Sequence, residues 1–360
     1  MIKYNGAELL ERLCLLFGPS GCEDNVRDFI AEQICDVCDK LYTDRAGNLI
    51  AVMESGAGEK ERLMISAHTD EVGFMVNEIT DDGYLKFDTL GGIDPRVLCG
   101  KKVTLGDECK KISGVISSKA IHHKKKEERL NITPVESMYI DIGAKGRDEV
   151  LKYLDIGSYG TFDSEFVRFG KDGKKLKCKA LDDRLGCALM IEVMRDIYPE
   201  KDRLPIDLYF CFTVREELGI SGAQVAAQTI APDYSIVLET TAVADVAGVR
   251  ESERVATQGE GGVISLIDRS TIYDRAFVDF ALQTAEKNGI KTQIKKYLSG
   301  ANDASHIHKS GKGVRTLALS APTRYLHSAA CVADIDDYSS MLSHILAMLR
   351  CWDDKTLTRR

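Results

Sequence analysis

Apolar residues recur every three or four positions over 6–17 (GAELLERLCLLF) and 23–38 (EDNVRDFIAEQICDVC), which predicts two amphipathic helices. Gly18, Pro19 and Gly21 break the chain between them. NLIAVM and RLMISAH then predict two strands. From about 72 to 165 the pattern shifts to short alternating or apolar runs: VGFMVNEI, GYLKFDTL, KKVTLG, KISGVISS, MYIDIG and YGTFDSEFVRF. The turns Asp82-Gly83, Gly91-Gly92 and Gly106-Asp107 punctuate them, and such spacing predicts a small β-barrel or sandwich. Beyond about 178, helix and strand alternate: RLGCALMIEVMRDIY, IDLYFCFTV, SGAQVAAQTIA, SIVLET, TIYDRAFVDFALQTAEKNG, TQIKKYL, NDASHIHKSG, VRTLALS and DDYSSMLSHILAMLRCW. The expected architecture is therefore α/β. One discontinuous domain, 1–71 with 166–360, holds a sheet between helices, and a β domain of 72–165 is inserted after His68.

The bulk composition narrows the function classes. A chain of 360 residues suffices for two domains. A net charge of −8 argues against a nucleic-acid binder. No apolar run has the length of a membrane span, and the N-terminus reads as an amphipathic helix, not a secretory signal, so a cytoplasmic location is expected. The eleven cysteines, an odd number, include Cys187 and Cys211 in apolar runs and read as reduced core residues. Cys35 and Cys38 are expected to be structural neighbours on one helix face, since no second Cys pair has zinc-finger spacing. The charged stretch HHKKKEER (122–129) reads as a solvated loop, and His122 and His123 have no carboxylate constellation nearby to make them ligands.

Chemistry gathers at the ends of the apolar runs. Glu216 and Glu217 are adjacent in TVREELG, just after IDLYFCF, and two neighbouring carboxylates ionise together readily only beside a cation. His68 and Asp70 follow RLMIS, Asp182 and Asp183 lie in ALDDRLG, Glu239 closes SIVLE, and His327 follows VRTLALS. In open α/β sheets, sites form outside the carboxyl ends of the strands, where residues distant in sequence converge. Two histidines with several carboxylates and no cysteine suit a hydrolytic zinc or cobalt centre. Two metals about 3.5–4 Å apart need a bridging carboxylate. Asp182 can bridge, His68 and Glu239 can complete one metal, and Glu217 and His327 the other, leaving Glu216 as a base.

AHTDEVGFMV, ALDDRLG, TVREELGISGA, VLETTAVADVAG and PTRYLHS, in this order, resemble the tetrahedral di-metal aminopeptidases, which include glutamyl and deblocking aminopeptidases and proteins once labelled endoglucanases. The resemblance spans nearly the whole chain. It implies a three-layer α/β/α metallopeptidase (phosphorylase/hydrolase-like) domain with an inserted β-barrel. It implies two divalent ions per chain, zinc foremost, with cobalt or manganese as alternatives. His68, Asp182, Glu217, Glu239 and His327 become the ligands and Glu216 the general base. Asp70 would hold the His68 imidazole, and the Asp182–Asp183 peptide bond would be cis. Peptides are the implied substrates, cleaved at their N-termini. The barrel would form dimers, and six dimers a hollow dodecamer. The chain departs from the family pattern at Thr69, in GANDA (300–304, including Asn302) and at Cys331. A di-metal carboxypeptidase or N-deacylase remains the alternative enzyme and needs a basic group such as Arg324. A glycosidase leaves the two histidines unexplained, and a non-catalytic scaffold leaves the full ligand set unexplained.

Overall fold

The computed structural model describes residues 2–56, 60–107, 109–123, 125–352 and 357. Its centre is an eight-stranded sheet in the spatial order Lys40–Thr43, Leu49–Met53, Asp207–Thr213, Arg62–His68, Tyr234–Ala242, Arg315–Thr323, Gly262–Ile264, Thr292–Ile294. The four central strands, Asp207–Thr213 through Arg315–Thr323, run parallel. They are buried on both faces, which explains why they read as continuous apolar runs and not as alternation. Gly6–Leu15, Leu181–Ile197, Arg275–Lys287 and Ile335–Arg350 pack as one helical group on the sheet, and Ser221–Ile230 with Ala304–Ile307 form a second. One apolar core runs through these layers.

The inserted strands close on themselves. Gly73–Ile79, Leu85–Leu90, Met138–Asp141, Lys111–Ser118, Lys102–Gly106 and Tyr159–Phe162 form a six-stranded barrel in that order. Its separate core centres on Phe74, which meets Phe87 and Phe162 edge-on at ring-centroid distances of 5.4 and 5.1 Å. Closure removes the sheet edges that an isolated set of short strands exposes.

Several local expectations need correction. The first helix pair is followed by a hairpin, Lys40–Thr43 with Leu49–Met53, whose outer strand is mostly exposed and lacks an apolar run. Asp24–Ile34 ends before the cysteine pair, so Cys35 and Cys38 lie in the turn beyond it, both free thiols. YGTFDSEFVRF is not one strand: Tyr159–Phe162 belongs to the barrel, whereas Val167–Phe169 pairs with Lys175–Cys178, which in turn pairs with Cys331–Asp334. Arg275–Lys287 starts later than its apolar pattern, because the Asp274 carboxylate accepts from Phe277 N at 2.8 Å and caps the helix there. TQIKKYL contributes only Thr292–Ile294. In 122–129, Lys124 lies outside the described residues, and His122 and His123 sit exposed in a single 3-10 turn.

Candidate metal centre

The parallel strands deliver their polar ends to one place. His68 ends its strand opposite Thr213, and the chain beyond Thr213 turns to present Glu216 and Glu217. Glu239 lies within Tyr234–Ala242, whose strand continues three residues past it. His327 follows Arg315–Thr323 in a loop. Asp182 sits at the start of Leu181–Ile197, and its peptide bond to Asp183 is cis. Four residues on, Gly186 is required by close approach: a Cβ there would lie 2.4 Å from Asp183 Oδ2.

These side chains form two groups that share Asp182: His68, Asp182 and Glu239, and Asp182, Glu217 and His327. Asp182 Oδ1 faces His68 Nε2 at 3.3 Å, and its Oδ2 faces His327 Nε2 at 3.3 Å. Glu239 Oε1 is 3.8 Å from His68 Nε2, and Glu217 Oε1 is 3.4 Å from His327 Nε2. Asp182 Oδ1 and Glu217 Oε1 are buried without a hydrogen-bond partner. A buried carboxylate oxygen left unpaired is costly, and a cation between each carboxylate pair and its imidazole satisfies it. The donor set of imidazole nitrogen and carboxylate oxygen fits zinc, cobalt or manganese.

Neighbouring groups fix the orientation of these donors. His68 Nδ1 lies 3.1 Å from the Asp70 backbone carbonyl and 3.4 Å from its carboxylate. That carboxylate also accepts from Glu216 N at 3.0 Å and Glu217 N at 3.1 Å, so the fully buried Asp70 ties the His68 strand to the Glu216–Glu217 turn. Thr240 N donates to Glu239 Oε2 at 2.9 Å. His327 Nδ1 meets the Gly92 carbonyl at 2.8 Å, so the inserted segment holds one of the imidazoles. With the other nitrogen of each ring committed, Nε2 is left facing the carboxylates.

The electrostatics are those of a crowded acidic cavity. Burial pushes Glu217 up to about 7, with the charges of Asp182 and Asp70 adding to it against the two histidines. Burial also lifts Glu239 and Glu216 well above the usual carboxylate range, Glu216 with help from Asp303, Glu217 and Asp70. Asp182 goes the other way: burial opposes its charge, but the imidazoles of His327 and His68 facing its two oxygens overcome that and lower its pKa. Burial works against charge on His327 too, yet Asp182 and Glu217 raise it to about 10. Protons here do the work a cation can do better.

The groups line a cavity of about 310 Å³ that also takes in Glu216, Asp268, Lys295 and Ser299–Asn302. A cavity of about 470 Å³ on the barrel, between Ser118 and Ser137, has no carboxylate or histidine among the described residues that line it. Arg324, a candidate anchor for a substrate carboxylate, is instead bidentate to Asp245 at 2.6 and 2.8 Å. Sequence patterning missed three contributors. Gly92 acts through its backbone carbonyl, which leaves no side-chain signal. Lys295 stands in a run that reads as an ordinary strand. Glu71 accepts from Lys179 at 2.5 Å and from Thr161 Oγ1 at 2.8 Å, a buried link between the barrel and the sheet domain.

The chain matches the model of the M42 glutamyl aminopeptidase family over residues 47–343. A putative aminopeptidase of Acetivibrio thermocellus is 34% identical over 334 residues, which is 92% of this chain and 95% of the relative. Among solved structures, the TET aminopeptidase from the marine sediment archaeon Thaumarchaeota archaeon SCGC AB-539-E09 superposes with a TM-score of 0.93 at 30% identity, covering 97% of each chain. The Pyrococcus horikoshii TET1 peptidase, which can assemble into a tetrahedron or a large octahedral shell, gives a TM-score of 0.83 at 33% identity, covering 95% of this chain and 98% of that one. The agreement extends through the barrel as well as the sheet, and it leads to one assignment: the chain belongs to the M42 glutamyl aminopeptidase family and is a metallo-aminopeptidase.

Proposed function

We propose that this aminopeptidase works with two divalent ions per chain, one held by His68, Asp182 and Glu239 and the other by Asp182, Glu217 and His327, with Glu216 as general base. The observation that carries the proposal is Asp182, whose two carboxylate oxygens face two different histidines, each at 3.3 Å. Ions at these positions supply Lewis acidity toward a scissile carbonyl and an acidified water, zinc being the first choice for such donors. Glu216 lines the cavity beside the ligand groups without belonging to either of them. It takes the proton of the attacking water and passes it to the departing amine. Asp70, by gripping the amides of Glu216 and Glu217, keeps base and ligand in register. The excess of carboxylates suits a substrate's free α-ammonium group, which makes the reaction one of N-terminal residues on peptides.

The same proposal divides the chain into 1–71 with 166–360 and an insertion of 72–165, consistent with two separate apolar cores. The barrel then pairs with a second copy, and dimers build a closed dodecamer, a reading supported by the tetrahedron into which the Pyrococcus horikoshii relative can assemble and by a similar TET1 structure solved as a dodecamer. Eleven free thiols favour a reducing, cytoplasmic setting, and among the described residues no helix is long and apolar enough to cross a membrane. A chelation experiment tests the catalytic part. Hydrolysis of leucine p-nitroanilide should vanish on metal removal and return with two equivalents of zinc, cobalt or manganese. Activity that survives exhaustive chelation, or hydrolysis of an N-acetylated amino acid in place of the free one, contradicts it.

A further inference from the structure

His327 is carried by a loop that the chain ties shut at its base. Arg324 N donates to Val332 O at 2.9 Å and Val332 N to Arg324 O at 3.0 Å, so residues 324–332 leave and rejoin the sheet domain at one point. Inside the loop Tyr325 and His327 both stand at φ 57°, a left-handed backbone that a non-glycine residue keeps only where its surroundings hold it. The chain between Tyr234–Ala242 and Gly262–Ile264 supplies such a hold. From it the Asp245 carboxylate, its side chain 3% exposed, accepts from Arg324 Nε at 2.6 Å and from Arg324 Nη2 at 2.8 Å. Gln258, in the same stretch, donates its backbone N–H to Asp245 Oδ2 at 3.0 Å. Its side-chain amide donates to Pro322 O at 3.1 Å and to Val332 O at 2.6 Å, one on each strand flanking the loop. Lys175 donates to Gln258 Oε1 at 3.1 Å and pairs with Asp334 at 2.8 Å, which fixes that amide in turn. Burial opposes the charge of Asp245, yet Arg324 and the Gln258 N–H hold its carboxyl below the usual range. None of Asp245, Gln258 and Arg324 lines the metal cavity.

We infer that Asp245 and Gln258 are positioning residues: acting through Arg324 and the loop it closes, they hold His327 at the site of the second ion. This rests on the two-ion reading under Proposed function. A bidentate carboxylate–guanidinium pair fixes direction as well as distance. Removing one partner leaves the other largely buried and uncompensated, so the base of the loop loosens. Gly92 orients the imidazole ring, whereas this network sets where the backbone of His327 stands. His68 and Glu239 stand on central strands paired along their length and need no such tie, so the effect is confined to one ion.

The test is a calorimetric zinc titration of the metal-free full-length protein, wild type against Asp245→Asn, Gln258→Met and Arg324→Lys, with thermal melts of the metal-free forms to check folding. Asp245→Asn should weaken the second ion about 10–100-fold, the effect of losing an outer support of a metal ligand, and leave the first unchanged. Gln258→Met, which removes both ties to the flanking strands, and Arg324→Lys, which keeps the charge but loses the fork, should act in the same direction. In each variant, hydrolysis of leucine p-nitroanilide should return as free zinc is raised, with KM unchanged. Equal weakening of both ions is a general loss of structure and overturns the inference, as does a second ion bound as tightly as in the wild type. If Asp245→Asn does not fold, Gln258→Met and Arg324→Lys decide by the same two criteria. A wild type that binds fewer than two ions overturns the two-ion reading itself, and the inference with it.

Discussion

The two ligand groups share Asp182 and little else. The His68 side is deep: its imidazole is 2% exposed, it stands on a central parallel strand, and Asp70 and Thr240 N fix it and Glu239 from within the sheet domain. The His327 side is shallow. Its imidazole is 32% exposed, it sits in a loop at φ 57°, and its anchor is Gly92, outside the sheet domain. A non-glycine residue in the left-handed region is held there by its surroundings. The difference teaches that one half of the centre is built by the fold of the sheet, while the other is completed by the inserted segment. The first ion should therefore be held tightly and the second should exchange, with the barrel able to tune it.

The largest effect comes from removing what the two halves share. Asp182→Asn should cost about 10⁴-fold in kcat/KM and both equivalents of metal, read by elemental analysis alongside kinetics. Next comes Glu216→Gln, which should lower kcat about 10³-fold with both ions retained, since the amide cannot accept the proton. Retention of a tenth of the activity would move the role of base away from Glu216. A smaller effect should separate the halves. Gly91 has φ 87°, and a Cβ there would lie 2.8 Å from Val72 Cγ1 and 3.2 Å from Glu217 Oε2. Gly91→Ala should weaken only the second ion, about tenfold, by displacing Glu217 and the Gly92 carbonyl that supports His327. The smallest effect is on pH. Without metal, His327 carries a proton below about 10 and Glu217 below about 7, so the second ion must displace protons at neutral pH. Its affinity should rise with pH from 6 to 8, with proton release visible as a buffer-dependent heat in calorimetry.

How far the sequence foretold this follows from where each signal resides. The deep half was legible, because a buried parallel strand reads as an apolar run and a polar residue at its end stands out: His68 after RLMIS, Glu239 closing SIVLE. The six barrel strands were legible from alternation and glycine turns, apart from Val167–Phe169, whose exposed residues continue the pattern without joining the closure. The support of His327 was not legible, since a carbonyl at Gly92 reads in sequence only as a turn. Lys295 was not either, since a lysine after a short strand looks like any solvated cation until the fold closes Ser299 and Asp268 around it. The double grip of Asp70 on Glu216 and Glu217 also needed the fold, because it joins residues 146 and 147 positions apart.

The most direct test is a zinc titration of the metal-free protein at pH 7.5, followed calorimetrically, with His327→Ala beside the wild type. Two equivalents should bind the wild type with clearly unequal affinities, and His327→Ala should lose the weaker one while keeping the tighter. A single equivalent in the wild type, or loss of the tighter site in His327→Ala, would contradict an Asp182-bridged pair with a deep and a shallow half.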